Sequence, residues 1–447
     1  MRITLPNPKR FSKIFKAVTN IQLRKPVTGI CTDSRQCLEG DLYIAITGNK
    51  VDGHKYINAA QKSGAIAVLL SKNIASDNGL QIIQVDDVIE TIGRLANKWR
   101  KQFNLPIIGI TGSNGKTTTK ELTKNILKAK YHVHFTKGNF NTAIGLPLTL
   151  LLLEDSHEIC VLEMGANQSG DIKKLCQIAE PTDGMITNIG PAHLEGFGSI
   201  ENVLAEKREL FRYLTAGRIF KNVSDEHIKS IPTPPNTVEF GCKSNCDYSV
   251  DYSRDEDGKI ILIINTNELK LNSQNLVFAK NVLAASVIGH SFDIDWDVIQ
   301  SKINEFTPTY GRGVVTKYGD TTVIDDTYNA NYTSTLAALE NLDQLPTENR
   351  KVFVFGDMAE LGDYSKEYHE KVGQKCTEFS LDAVFTIGQE TVNTNKELSG
   401  IPYHKHFNNQ TDLISDLSNY LKSGDIVLFK GSRSMEIEKI IQEVFKK

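Results

Sequence analysis

A chain of 447 residues is too long for one hydrophobic core and points to about three domains. Its 40% hydrophobic and 23% charged content suits a globular protein in water, and a net charge of -3, with Lys and Arg spread along the chain, excludes a basic nucleic-acid surface. The longest greasy stretch, Ile144 to Leu153, is too short to span a bilayer and contains Pro147, and no apolar run follows the N-terminal basic residues, so the reading is a cytoplasmic protein without membrane insertion.

Residues 1–105 alternate strand and helix patterns and form a first, smaller α/β domain. Strand patterns cover Val27 to Arg35, Asp41 to Ile46 and Ala65 to Leu70, with a helix through Ala60. Asp33, Ser34 and Arg35 fall where a strand gives way to a loop, and two readings stay open: contact with a phosphate or a uracil ring, or a turn and cap cluster. The seven cysteines read as structural thiols; only Cys242-x-x-x-Cys246 has loosely metal-like spacing, and no second Cys/His pair completes it.

Residues 106–308 form the second domain, with a parallel sheet. Ile107 to Ile110 is a β-branched run that breaks into Thr111-Gly-Ser-Asn-Gly-Lys-Thr-Thr118 and then a helical pattern. Strand, glycine loop and helix N-terminus make a phosphate cradle, in which Lys116 reaches the outer phosphates and Thr117 is a Mg²⁺ ligand. The loop is a short variant, because Ile110 stands where the usual P-loop has its first glycine. Two further strands end in polar residues, Ile159 to Glu163 and Gly184 to His193. Ligands bind beyond the carboxyl ends of such strands, so Glu163 and His193 should face the triphosphate as candidate metal ligands. Between them, Thr136 to Pro147 reads as a binding loop of small and amide residues. Residues 215–275 read as a strand-rich appendage without chemistry.

Residues 309–447 form a second doubly wound unit. Its strands end in Asp325-Asp-Thr-Tyr-Asn-Ala-Asn331, Gly356-Asp-Met-Ala-Glu-Leu-Gly362 and Lys430-Gly-Ser-Arg433, and Asp-rich strand ends suit ribose hydroxyls or an incoming amine. Two α/β units with ligand-facing loops favour a reaction in the cleft between them.

These motifs, with Gly138-Asn-Phe-Asn141, Glu163-Met-Gly165, Asn188-Ile-Gly-Pro-Ala-His193 and Lys207-Arg-Glu-Leu-Phe211, resemble the Mur ligases, ATP-dependent amide-forming enzymes of peptidoglycan synthesis. The third-domain motifs resemble the branch that joins D-alanyl-D-alanine to UDP-N-acetylmuramoyl-tripeptide, and the Asp-Asn-Pro-Arg motif of the branch that adds the third amino acid is missing. The resemblance implies three domains: one for the UDP-sugar, a central ATPase and a mobile C-terminal Rossmann-like domain, working as a monomer with ATP and Mg²⁺. It implies nucleotide contacts from Gly112, Ser113, Asn114, Gly115, Lys116, Thr117, Thr118, Asn281, Arg312, Asp326 and Asn329. Substrate contacts fall to Ser34, Arg35, Asn139 and Asn141, catalysis to Lys116, Glu163, His193 and Lys207, and the metal to Thr117, Glu163, His193 and Lys207. Lys207 lies mid-stripe in a helix pattern over 200–214 and is implied to work as a carbamate. Departures are Tyr332 for proline, Thr142 for asparagine, and the missing Gly-x-His-Asn upstream of Asn281. A folylpolyglutamate synthetase, another Mur ligase and an ATP-binding scaffold without turnover are the alternative readings.

Overall fold

The computed structural model describes residues 1–48, 51–74, 79–345 and 348–446. Its first sheet has five strands in chain order: Arg2–Thr4, Gly29–Cys31, Asp41–Ile44, Ala67–Leu70 and Gln81–Gln84. Only the first pair is antiparallel, with Ile3 opposite Ile30.

The helix Val88–Arg100 leads from this sheet into the second. Asp87 caps it by accepting from the Glu90 N–H, satisfying one orphan donor of the first turn. Val88, Ile92, Leu95, Ala96 and Trp99 follow helical spacing and are buried, in a core shared with Leu146, Leu150 and Leu153 of the second unit. Polar ends fasten the same joint. Trp99 Nε1 donates to Leu153 O at 3.1 Å, Asn97 Nδ2 to Ile178 O at 3.0 Å and Arg100 Nε to Ala179 O at 2.9 Å.

The second sheet is all parallel, in the order Thr237–Phe240, Arg218–Asn222, Asp183–Ile186, Ile107–Thr111, Ile159–Glu163 and Val133–Phe135. Central strands buried on both faces account for the unbroken apolar runs of the sequence. Residues 215–275 are strand-rich as expected, but only part of them is an appendage. Arg218–Asn222 and Thr237–Phe240 extend the main sheet, and only Val250–Arg254, Ile260–Ile264 and Asn267–Lys270 form a separate antiparallel sheet. Cys242 and Cys246, expected as thiols, are joined in a disulfide beside it, because the turn between them returns the chain on itself.

The third sheet runs Val314–Tyr318, Thr321–Asp326, Ile426–Lys430, Lys351–Gly356, Ala383–Ile387, Tyr403–Phe407, with only the first pair antiparallel. Among the described residues, no helix is long and apolar enough to cross a membrane.

Trp99 has 0% exposure and carries both apolar contact and a hydrogen bond across the first joint. Trp99→Ala should destabilise the chain by about 3–5 kcal/mol, the usual cost of emptying a buried aromatic site. Urea unfolding followed by far-ultraviolet circular dichroism measures it, and a midpoint equal to wild type would show that the joint does not depend on this ring.

Candidate active site

The strand Ile107–Thr111 ends in a loop whose glycines are required by space as well as by conformation. Gly112 has φ of 146°, and a Cβ there would lie 1.9 Å from Thr187 Oγ1; Gly115 has φ of 78°, and its Cβ would lie 2.4 Å from Asn281 Oδ1. Gly115 is also the N-cap of the helix Lys116–Leu127 and offers no side-chain acceptor, so the first N–H groups of that helix are left for a ligand. The neighbouring strand end fastens the loop. Asn114 N donates to Asn188 Oδ1 at 2.9 Å, while Asn188 Nδ2 at 2.9 Å and Thr187 Oγ1 at 2.6 Å both donate to Asn114 O. Ser113 N donates to Asn188 O at 2.9 Å, and Ser113 Oγ to Gly190 O at 2.9 Å. Lys116 folds over the loop, donating to Gly112 O at 2.6 Å and Ser113 O at 3.2 Å. Burial lowers its pKa, Glu163 opposes that shift, and Arg312 adds to it. Thr117 is buried and Thr118 partly buried on the first turn.

Glu163 closes its strand with one carboxylate oxygen committed and one free. Oε1 accepts from Asn141 Nδ2 at 2.7 Å, whereas Oε2 is buried with no hydrogen-bond partner. A buried carboxylate oxygen without a donor is costly unless a ligand meets it. Together with the Thr117 hydroxyl it offers hard oxygen donors of the kind Mg²⁺ takes, so the residues fit that ion. Glu163 is held by its own backbone: its N–H donates to Thr136 Oγ1 at 3.0 Å, and Thr136 O accepts from the buried Lys120 Nζ at 2.7 Å. Asn139 of the same loop is exposed.

His193 does not simply end its strand. It takes a left-handed φ of 55° as N-cap of the short helix Leu194–Phe197, and its Nδ1 lies 2.5 Å from Glu360 Oε2 of the third unit. That contact lowers the Glu360 pKa. The helix pattern over 200–214 is divided at Arg208 into Ile200–Lys207 and Glu209–Tyr213. Glu206 orients the first piece by accepting from Gly170 N at 2.7 Å and Ile172 N at 2.6 Å, across the start of the helix Asp171–Ala179. Lys207 beside it is 1% exposed, with no ion pair among the described residues. Burial first, then the nearby Lys116, lowers its pKa to about 7.

In the third unit, Lys430 Nζ donates to Asp326 Oδ2 at 2.5 Å and to Asn329 O at 3.1 Å, fixing both strand-end residues. The Arg312 guanidinium stacks 4.0 Å from the Tyr328 ring centroid, and its Nε is buried without a partner. Asn331 and Asn114 exchange amide hydrogen bonds across the cleft at 2.7 and 3.3 Å. The phosphate loop, Glu163, Lys207, Asn281 and Arg312 are thus gathered about one cleft. Ser34 and Arg35 are not part of it. Ser34 is buried in the first unit's turn, and the hydrogen bonds of the Arg35 side chain go to Asp33, whose carboxyl is held down at about 2. Sequence reasoning assigned no role to Thr187, Lys120, Glu206 or Glu360; only Asn188, one residue beyond an apolar run, carried a usable signal.

Known proteins match almost the whole of this chain. Residues 26–108 match the family described as "Mur ligase family, catalytic domain", 110–289 the "Mur ligase middle domain" and 311–433 the "Mur ligase, glutamate ligase domain". The UDP-N-acetylmuramoyl-tripeptide--D-alanyl-D-alanine ligase of Bacillus subtilis is 32% identical over 94% of this chain and 93% of its own length. That of Synechocystis is 34% identical over 96% and 94%. Among solved structures, MurF from Acinetobacter baumannii aligns with a TM-score of 0.87 at 28% identity over 98% of both chains. MurF from Thermotoga maritima in complex with ADP aligns with 0.83 at 32% identity, over 93% of this chain and 97% of that one. With its three domains matched in order and its relatives matched almost end to end, the chain belongs to the Mur ligase family.

Proposed function

We propose that the protein is the ligase that joins D-alanyl-D-alanine to UDP-N-acetylmuramoyl-tripeptide at the expense of ATP, working as a monomer in the cytoplasm. The observation that carries this reading is the Asn114–Asn331 pair, which sets a phosphate cradle against the Asp-rich strand ends of a second α/β unit. The acceptor is read from the relatives of 32% and 34% identity. Domain boundaries at 105/106 and 308/309 belong to the same proposal.

In this reading the terminal carboxylate of the tripeptide attacks the γ-phosphorus of ATP, releasing ADP and leaving an acyl phosphate. The amine of D-alanyl-D-alanine then attacks that carbonyl carbon, loses a proton and expels phosphate. Lys116 and the N–H groups of the loop and helix N-terminus stabilise charge on the transferring group. Thr117, Glu163, His193 and Lys207 would hold Mg²⁺, which when bound neutralises charge on the phosphate oxygens. Lys207 serves as a carbamate. Its buried neutral amine adds to CO₂ and releases one proton, turning a cation that would repel the metal into an anion that attracts it. Asn281, Arg312, Asp326 and Asn329 take the nucleotide, Ser34 and Arg35 the UDP group, and Asn139 and Asn141 the peptide side, with Asn141 also orienting Glu163. Excluding water protects the acyl phosphate from hydrolysis.

The decisive assay is ADP release with UDP-N-acetylmuramoyl-tripeptide, with and without D-alanyl-D-alanine. Turnover that depends on both supports the reading, and turnover with glutamate or diaminopimelate in place of the dipeptide would reassign the acceptor. Lys116→Ala should lose about 10³-fold or more in kcat with an unchanged melting temperature, as for other contacts that carry transferring phosphoryl charge. Near-wild-type turnover would remove Lys116 from the mechanism. Lys207→Ala should lose most activity and regain part of it in formate or acetate; full activity without rescue is the contrary result. Binding of ATP and UDP-substrate together should tighten the cleft, read as a smaller radius of gyration in solution scattering, and identical radii with and without both ligands would argue against closure.

A further inference from the structure

Outside the cleft, the first domain gathers two thiols and a carboxylate that the proposed reaction does not use. Cys31 ends one strand, and Asp41 begins the next, opposite Gly29. Residues 29 and 31 share a face, so Cys31 and Asp41 point the same way from adjacent strands. The turn Ser34–Gln36, capped by Asp33, then returns Cys37 to that face. All three side chains are buried, and their donor atoms lie within 4.8 Å of one another. The Asp33 carbonyl adds a fourth donor, 2.9 Å from Cys31 Sγ and 3.9 Å from Cys37 Sγ.

We propose that Cys31, Cys37 and Asp41, with the Asp33 carbonyl, form a site for a zinc-class d¹⁰ cation that ties down the turn carrying Ser34 and Arg35. A tetrahedral zinc site sets sulfur and oxygen donors about 3.4–3.8 Å apart, so a span of 4.8 Å closes by roughly 1 Å of side-chain rotation. Charge closes as well. Arg2 already grips Asp41, with Nε to Oδ2 at 2.7 Å and Nη2 to Oδ1 at 3.0 Å. Two thiolates, one carboxylate, a divalent ion and this guanidinium sum to zero, which a buried site requires. Binding replaces the two thiol protons, and both leave to solvent. Entry is short, because Arg35, Gln36 and Leu38 around the thiols are exposed. Soft sulfur ligands set this site apart from the oxygen-lined one in the cleft, which suits Mg²⁺.

The test uses the full chain with its Cys242–Cys246 disulfide intact, titrated with Cd²⁺. Wild type should show a thiolate-to-cadmium absorption that saturates at one ion per chain, with amide exchange across residues 32–38 slowed. The Cys31→Ser/Cys37→Ser variant should lose both responses while keeping its far-ultraviolet spectrum. Arg2→Met should weaken binding about 10–100-fold, the usual cost of losing a partner behind a metal ligand. Cadmium NMR of the wild-type chain gives a readout that needs no variant, since two sulfurs shift the resonance differently from oxygen donors alone. No absorption at one equivalent, absorption retained in the double variant, an oxygen-only resonance, or unchanged exchange at 32–38 would each overturn the site.

Discussion

The cleft depends on how Asn114 is shared between two domains. Its peptide group is locked to the central domain by Asn188 and Thr187, so the loop is shaped before any nucleotide arrives. Its side chain is thereby free to meet Asn331 of the third domain. Any displacement of Asn331 is felt at the loop through two amide hydrogen bonds, and any displacement of the loop is resisted by three bonds to one strand end. In the closure proposed above, the loop is therefore the fixed partner and the third domain the one that adjusts. Neutral amides suit this task, since a charged pair here would compete with the phosphates for Lys116.

Charge around the cleft is unbalanced in a way that a polyanion corrects. Burial lowers the pKa of both Lys116 and Lys207; Arg312 adds to the shift at Lys116, and Lys116 adds to the shift at Lys207. Against them stands Glu163, whose second oxygen has no donor. Desolvated like charges are unfavourable unless something between them carries the opposite sign. In the proposed reaction a triphosphate would supply it over the loop, and a carbamate at Lys207 would remove one cation. Burial, the chief cause of the lowered Lys207 pKa, and the orphaned oxygen of Glu163 both mark a desolvated site without its ligand-side partners.

Much of this was legible in sequence because it is local. The phosphate loop, Glu163 and the Asp325–Asp326 strand end each follow an apolar run, and a run that ends in polar residues marks the carboxyl edge of a parallel sheet. What periodicity cannot carry is a partner distant in the chain. Glu360 meets His193 across the domain joint, and Glu206 orients Lys207 by capping a helix that begins at Asp171, neither of which has a spacing to detect. Cys31 and Cys37 read as separate structural thiols for a related reason, since five residues of strand end and turn separate them and no fixed repeat describes the path that brings them together. For residues 218–240 the strands are legible, but composition does not show that they pair with the central sheet rather than with the antiparallel strands that follow.

The two domain joints share one buried cluster and differ in their polar fastenings. Between the first and second domains, Trp99, Phe103 and Leu105 continue the core of the central sheet, and Asn97 and Arg100 bind backbone carbonyls beyond them. Such a joint behaves as part of one interior and cannot slide without opening apolar surface to water. Between the second and third domains, polar contacts at loop ends, Asn114 with Asn331, His193 with Glu360 and Glu195 N with Glu360 O at 3.0 Å, stand beside apolar ones, since Leu194 and Phe197 belong to the same buried cluster as Ala330, Met358 and Leu361. Polar contacts of this kind exchange for water at small net cost. The third domain nevertheless keeps its own half of the site intact, because Lys430 fixes Asp326 and Asn329 from within that domain. In the closure proposed above it would move as a body and carry Asp326 and Asn329 toward a loop already shaped by Asn188 and Thr187.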